Sequence, residues 1–319
     1  KMMYFSENTL RKRKQEKRKI ILIRRVLIVI SITMICIMIM GTINKIVHQN
    51  NADTVSANGS KETTEKVSEQ ETETVLETQS LTYEVKPPKD YSRNEMINIM
   101  KQYARLDHNM KEIYDNIDDY DTELLDKVVN NPEMAEFIRN YYDYDENIPD
   151  ELTEKEINKR YPLFRQWDKR WGHIPYGDSN IGLAGCGPTC LAMVVFSLTR
   201  NEQITPRLVA EYSENNGYYV EGIGTAWSLM RSFPIEYNVD VREISLSEEN
   251  MKRELDCGNL IICGMGPGDF TRNGHFIVIY GYDNKGFRIN DPNCIARSKR
   301  RWSYERLASQ IKVIWSYGL

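Results

Sequence analysis

Runs of apolar and polar residues divide the chain into stretches that predict different elements. Val26–Ile43 is almost unbroken apolar sequence, interrupted only by Ser31, Thr33, Gly41 and Thr42. At the helical rise this run spans about 27 Å, close to the hydrocarbon thickness of a bilayer. Residues 44–90 are polar, rich in Glu, Thr and Ser, and closed by Pro87-Pro88. Such a segment cannot bury a core, so it is expected to be a disordered stalk. Ser92 and Glu95 form a capping-box pattern. Met96, Ile99, Tyr103, Leu106, Met110, Ile113 and Ile117 then recur at steps of three and four, which predicts one long helical stripe. At about three heptads it suits core packing better than a coiled coil. Leu124, Leu125, Val128 and Val129 predict a second helix over 121–130, and Asn131-Pro132 starts a third. Tyr141, Tyr142 and Tyr144 read as a packed surface.

Beyond residue 160 the pattern changes. The run from Gly187 to Thr199 carries no charge until Arg200 and predicts a buried helix whose first turn begins at Cys186. Thr205-Pro206 starts another, ending near Asn215. Gly217, Gly222 and Gly224 make a loop, and Thr225–Met230 predicts a further helix. Strands are expected at Leu260–Cys263, His275–Tyr280, Phe287–Asp291 and Ile311–Trp315, with a turn at Asp283-Asn284-Lys285-Gly286. Helices first and strands later in one unit predict an α+β fold. The expected organisation is a basic tail at 1–25, a membrane span at 26–43, the stalk at 44–90, a helical lead-in module at 91–160 and a final domain at 161–319.

Charge sharpens the amino-terminal reading. Residues 1–25 hold ten Lys or Arg and two Glu, a net of +8; the 319-residue chain is −4, which leaves −12 for the remainder. A basic cluster beside an apolar run marks a cytoplasmic flank, so residues 44–319 are expected outside the cell membrane. Gly41-Thr42-Ile43-Asn44-Lys45 is a poor cleavage site, which favours an uncleaved single-pass anchor over a signal peptide. No basic stripe interleaved with aromatics occurs elsewhere, which excludes nucleic acid as the expected partner. The expected contacts are the lipid bilayer through residues 26–43 and a peptide or protein substrate outside it. The oligomeric state is left open.

The chemistry centres on Gly185-Cys186-Gly187-Pro188-Thr189-Cys190. A thiol at a helix N-terminus meets the positive end of the dipole and unpaired N–H groups, which favour the thiolate. The flanking glycines admit close approach. His275 opens a predicted strand, and Asp291 ends the strand that returns from it, so the hairpin brings the two together. A carboxylate beside an imidazole supports its charged form, and Asn290 is a rival for that place. Gln166 in Gln166-Trp167-Asp168-Lys169-Arg170-Trp171 can donate to an oxyanion beside the Cys186 backbone N–H. Cys190 reads as a buried small hydrophobe, Trp167 and Trp171 as structural residues. A zinc site from Cys186, Cys190, His173 and His275 is not favoured by the spacing, and no metal or cofactor is expected. A strand between Cys257 and Cys263 is expected to keep them apart; a disulfide among these two and Cys294 stays open.

Four ordered motifs carry a resemblance. They are Gln166-Trp167-Asp168-Lys169-Arg170-Trp171, Gly185–Thr189, Gly274-His275-Phe276-Ile277-Val278 and Asp291-Pro292-Asn293. Over residues 161–319 the chain resembles the papain-like cysteine peptidases of family C thirty-nine, in particular stand-alone, membrane-anchored members from Gram-positive bacteria. The resemblance implies a papain-like fold, with a nucleophile helix packed on an antiparallel sheet. It implies Cys186 as nucleophile, His275 as base and acid, Asp291 as orienter and Gln166 as oxyanion donor. Gln166 lies 20 residues before Cys186, farther than in transporter-fused relatives. No phosphate-binding Gly-rich loop ending in Lys-Ser or Lys-Thr occurs, so the leader-peptide substrate of those relatives is not implied. The expected activity is extracytoplasmic peptide hydrolysis through an acyl-enzyme. Alternatives are hydrolysis or transamidation of cell-wall peptides on the same triad, or a non-catalytic papain-like binding module.

Overall fold

The computed structural model describes residues 86–145 and 147–319. The basic tail, the apolar run at 26–43 and all of the polar stalk before residue 86 lie outside the described residues. Among the described residues, no helix is long and apolar enough to cross a membrane.

An antiparallel sheet of six strands organises the second half of the chain. Its strands are β1 (Asp240–Glu243), β2 (Leu260–Met265), β3 (His275–Asp283), β4 (Gly286–Asn290), β5 (Arg301–Trp302) and β6 (Ile311–Gly318). Their spatial order is β1-β6-β2-β3-β4-β5. Every residue of β2 is buried, as are the first five of β3, because helices cover both faces of the sheet. That explains why these strands read as continuous apolar runs rather than alternating ones. Leu260, Ile262, Phe276, Val278, Trp315 and Tyr317 pack on one side with Leu191, Val194, Val195 and Phe233. Ile261, Cys263, Ile277, Ile279, Ile289 and Ile314 pack on the other with Met251 and Leu307. The mixed architecture of helices on an antiparallel sheet agrees with the α+β expectation.

The amino-terminal part forms α1 (Arg93–Tyr103), α2 (His108–Asp115), α3 (Thr122–Asn130) and, after a 3-10 turn at Pro132–Met134, α4 (Ala135–Arg139). The single long stripe expected over 96–117 is therefore two helices. Asp107 stops the first continuing by capping the second: its Oδ1 accepts from the Met110 N–H at 2.8 Å. Leu106, counted in the stripe, is 57% exposed at the break. Replacing Asp107 with alanine is expected to destabilise the protein by about 1 kcal/mol. A thermal melt would show this as a decrease of about 3 °C. The four apolar residues expected for α3 are all buried, and Asn131 caps the following turn through Glu133 N–H as its position implied.

The central helix is α5 (Cys186–Thr199), buried continuously from Gly187 to Phe196 and closed by Arg200 in the left-handed region. Next come α6 (Pro206–Asn215), α7 (Leu229–Ile235) and α8 (Glu248–Asp256). The helix expected at 225–230 starts later, because Gly224-Thr225 pairs instead with Tyr219-Val220 in a small hairpin. Thr225 is drawn inward, where its hydroxyl hydrogen-bonds the fully buried Tyr176 at 2.9 Å. Two short helices, α9 (Ile295–Lys299) and α10 (Tyr304–Ala308), complete the chain. All described residues belong to one compact unit, Leu81–Leu319, so the helical lead-in and the sheet are parts of the same body.

Candidate active site

Cys186 is the first residue of α5, where Gly185 supplies no side-chain cap. The opening N–H groups of the helix are therefore free to face the thiol. Pro188 sits in this first turn, where a missing N–H is harmless. Gly187 is required by space: a Cβ there would lie 2.9 Å from the Thr225 side chain. Cys186 is half-buried, whereas Cys190, one turn on, is fully buried and its thiol is pushed well up by burial.

His275 is the first residue of β3, opposite Met265 of β2. Its Nε2 lies 2.8 Å from Asp291 Oδ1, just past the end of β4. A bulge makes this meeting possible. Near the turn the register pairs Tyr282 with Phe287 and Gly281 with Arg288, but beyond Tyr280 it becomes Ile279 with Ile289 and Val278 with Asn290. Carried one residue further, the shifted register places Asp291 opposite Ile277, on the same face as His275. Without the extra residue, Asp291 would stand opposite Val278 and face away.

Asp291 is completely buried and richly held. Arg297 Nε donates to its Oδ2 at 2.5 Å, the Asn293 N–H donates to its Oδ1 at 2.9 Å, and its own N–H donates to Ser298 Oγ at 2.8 Å. Burial opposes the charged form, but the Arg297 charge, then the His275 charge, hold the carboxyl well below the usual carboxylate range. An ionised Asp291 can only accept, so His275 donates to it through Nε2. Burial also works against a charged His275, yet Asp291 and the Cys186 contact raise it to about 9. The Cys186 thiol is lowered: burial raises it, and the His275 hydrogen bond and charge with the N–H groups of Phe276 and Gly187 outweigh that.

Cys186, His275 and Asp291 thus lie together, with His275 hydrogen-bonded to Asp291 and electrostatically coupled to the Cys186 thiol. Asn290 is not part of this group, since its amide donates to Pro162 O at 2.9 Å. Gln166 is buried, and its Oε1 has no hydrogen-bond partner among the described residues. Its Nε2 donates to Gly182 O at 2.8 Å and its backbone N–H to Pro292 O at 2.8 Å, which ties the approach to α5 to the loop after Asp291. An amide nitrogen has two protons, and the Gly182 contact uses one. Trp171 is fully buried with its indole N–H on Arg165 O, and Trp167 donates to Asn293 O at 2.9 Å. His173 lies elsewhere, stacked between Phe137 and Tyr144. Cys257, Cys263 and Cys294 are all free thiols. A cavity of about 480 Å³ lined by Phe137, Trp167 and His173 contains none of Cys186, His275 and Asp291.

Sequence reasoning missed Arg297, Ser298 and Glu133. Arg297 follows Asp291 by six residues in a stretch that reads as polar surface. Nothing in its spacing announces a buried guanidinium.

No curated protein matches the chain. The solved structures similar to it include the following two. One is the peptidase domain of Streptococcus ComA, described as a bi-functional ABC transporter involved in quorum sensing. It is 21% identical with a TM-score of 0.37, covering 50% of this chain and 98% of that one. The other is a C39-like peptidase from Bacillus anthracis, 16% identical with a TM-score of 0.33, covering 51% of this chain and 96% of that one. The Peptidase_C39 like family model matches residues 158–317, a span that takes in Gln166, Cys186, His275 and Asp291, and the chain belongs to that family.

Proposed function

We propose that the protein is a papain-like cysteine peptidase, anchored by residues 26–43 and acting outside the cell membrane. The observation that carries the reading is the grouping of Cys186, at the start of α5, with His275 and its hydrogen-bonded partner Asp291. In this reading Cys186 Sγ, as thiolate, attacks a peptide carbonyl carbon. The developing oxyanion is met by the Cys186 backbone N–H and the second amide proton of Gln166. His275 passes its proton to the amine nitrogen as the C–N bond breaks, leaving a thioester. Water then gives a proton to His275 and its oxygen to the acyl carbon, releasing the acid and the thiolate. Asp291 keeps the imidazole in the required tautomer throughout.

The test is a thiol-directed peptide probe applied to the parent chain and to Cys186→Ala, alongside a panel of unfolded peptides and cell-wall peptide fragments. Labelling is expected at Cys186 and lost in the variant, with hydrolysis of unfolded peptides. Labelling that persists in Cys186→Ala sinks the reading. Turnover confined to wall fragments moves the assignment to wall-peptide chemistry on the same groups.

A further inference from the structure

The helical lead-in reaches the candidate site at two separate places. Glu133, in the turn between α3 and α4, accepts hydrogen bonds from the Ile295 N–H at 2.6 Å and the Ala296 N–H at 2.9 Å. These are opening N–H groups of α9, where a carboxylate is favoured by unpaired donors and by the dipole. The neighbouring Asn131 donates to Asn293 O at 2.5 Å. Arg297, on α9 itself, holds Asp291. A continuous chain of contacts therefore runs from Glu133 through α9 and Arg297 to Asp291, His275 and Cys186. It joins residues 162 apart in sequence at its first step.

The second grip is on the loop leading into His275. Arg272, three residues upstream, donates to both carboxylate oxygens of Asp126 on α3, at 3.0 and 2.5 Å, and to Lys89 O at 2.8 Å. Asp90 adds a further contact at 2.6 Å. The same few turns of helix thus hold the segment before His275 and the segment after Asp291.

We propose that the lead-in module sets the geometry of the catalytic groups, its Glu133 acting through α9 and Arg297 to position Asp291. The inference rests on the peptidase reading for its kinetic readout, and on the geometry alone for its chemical one. Neither residue touches the thiol. Their action is to fix where the buried carboxylate stands, and so whether His275 is held as the charged partner of Cys186. The charged and titratable groups around Asp291 are His275 from β3, Arg297 from α9, Cys186 and Cys190 from α5, Cys294 from the intervening loop and Glu133 from the module. Arg297 Nη2 is buried without a hydrogen-bond partner among the described residues, so its hold on Asp291 runs through Nε.

The experiment uses the full chain carrying Cys257→Ser, which removes the one exposed thiol among the described residues. Rates of Cys186 alkylation by iodoacetamide are followed against pH, and kcat/KM is measured on a cleaved peptide. Glu133→Ala is expected to lower kcat/KM about tenfold. It is also expected to move the alkylation midpoint of Cys186 upward, toward an ordinary thiol. Glu133→Gln keeps one acceptor oxygen and should fall between it and the parent. Asp107→Ala, which weakens the module without touching Asp291, should lower the melting temperature and leave both readouts in place. Parental kcat/KM and midpoint in both Glu133 variants, whatever their melting temperatures, would overturn the proposal. A parent chain with a depressed alkylation midpoint that cleaves no peptide would sink the peptidase reading alone. The midpoint shift in Glu133→Ala would then still decide the positioning role.

Discussion

Replacing Asp291 with alanine is expected to lower kcat/KM by about 10⁴-fold, the loss that follows when a triad imidazole is left without its orienting carboxylate. His275 Nε2 has Asp291 Oδ1 as its hydrogen-bond partner, so the substitution frees the tautomer and withdraws the negative charge that supports the imidazolium. The same change strands Arg297, which is almost wholly buried and whose Nη2 already lacks a partner among the described residues. An uncompensated buried charge destabilises by about 3–5 kcal/mol. Activity and stability should therefore fall together, and a second variant separates them. Asp291→Asn combined with Arg297→Met removes both charges, and its melting temperature should recover much of the loss while kcat/KM stays low. Recovery of activity along with stability would show that Asp291 serves the fold and not the imidazole.

The second large effect is on pH dependence. With His275 raised to about 9 and Cys186 lowered, the two shifts run in the direction that favours a thiolate–imidazolium pair. Both alkylation of Cys186 and kcat/KM should rise at a pH below the ordinary thiol range, and kcat/KM should then fall as pH climbs through about 9. Above that point, in the proposed mechanism, His275 has lost the proton owed to the leaving amine. Stability follows the same groups with opposite senses. The contribution of His275, raised from 6.5, is complete below 6.5 and is lost as pH rises through about 9. That of Cys186, lowered from 9.0, is complete above 9.0 and is lost as pH falls through its folded value. Asp291, lowered from 3.8, adds stability above 3.8 that disappears only further into acid. Replacing His275 with glutamine should return the alkylation midpoint to the ordinary thiol range. A parent midpoint already in that range would rule out the ion pair.

Much of the fold was legible because burial leaves a one-dimensional trace. The apolar run after Cys186 read as a buried helix, and Leu260–Cys263 and His275–Tyr280 as buried strands. Caps were equally readable, since Ser92, Asn131 and Thr205 act on residues only two or three positions away. The misreadings share a different cause. The 96–117 stripe kept helical spacing across Asp107, and spacing alone does not show that a side chain will leave the pattern to cap a new helix. The 225–230 stretch looked helical, but Tyr176, far away in sequence, recruits the Thr225 hydroxyl. The exposed edge strand Asp240–Glu243 carries no alternation to read.

Within the candidate site, sequence alone determined which groups can do chemistry. A cysteine between glycines at a helix start, a histidine at a strand start and an aspartate at the end of its hairpin are local features with local causes. Tertiary structure decided which of them meet. The bulge at Tyr280 places Asp291 on the His275 face, the Pro162 carbonyl takes the Asn290 amide out of contention, and Glu133 and Arg297 join the network from segments whose spacing is mute. Register shifts and buried ion pairs arise from contacts between distant segments, and such contacts leave no period along the chain.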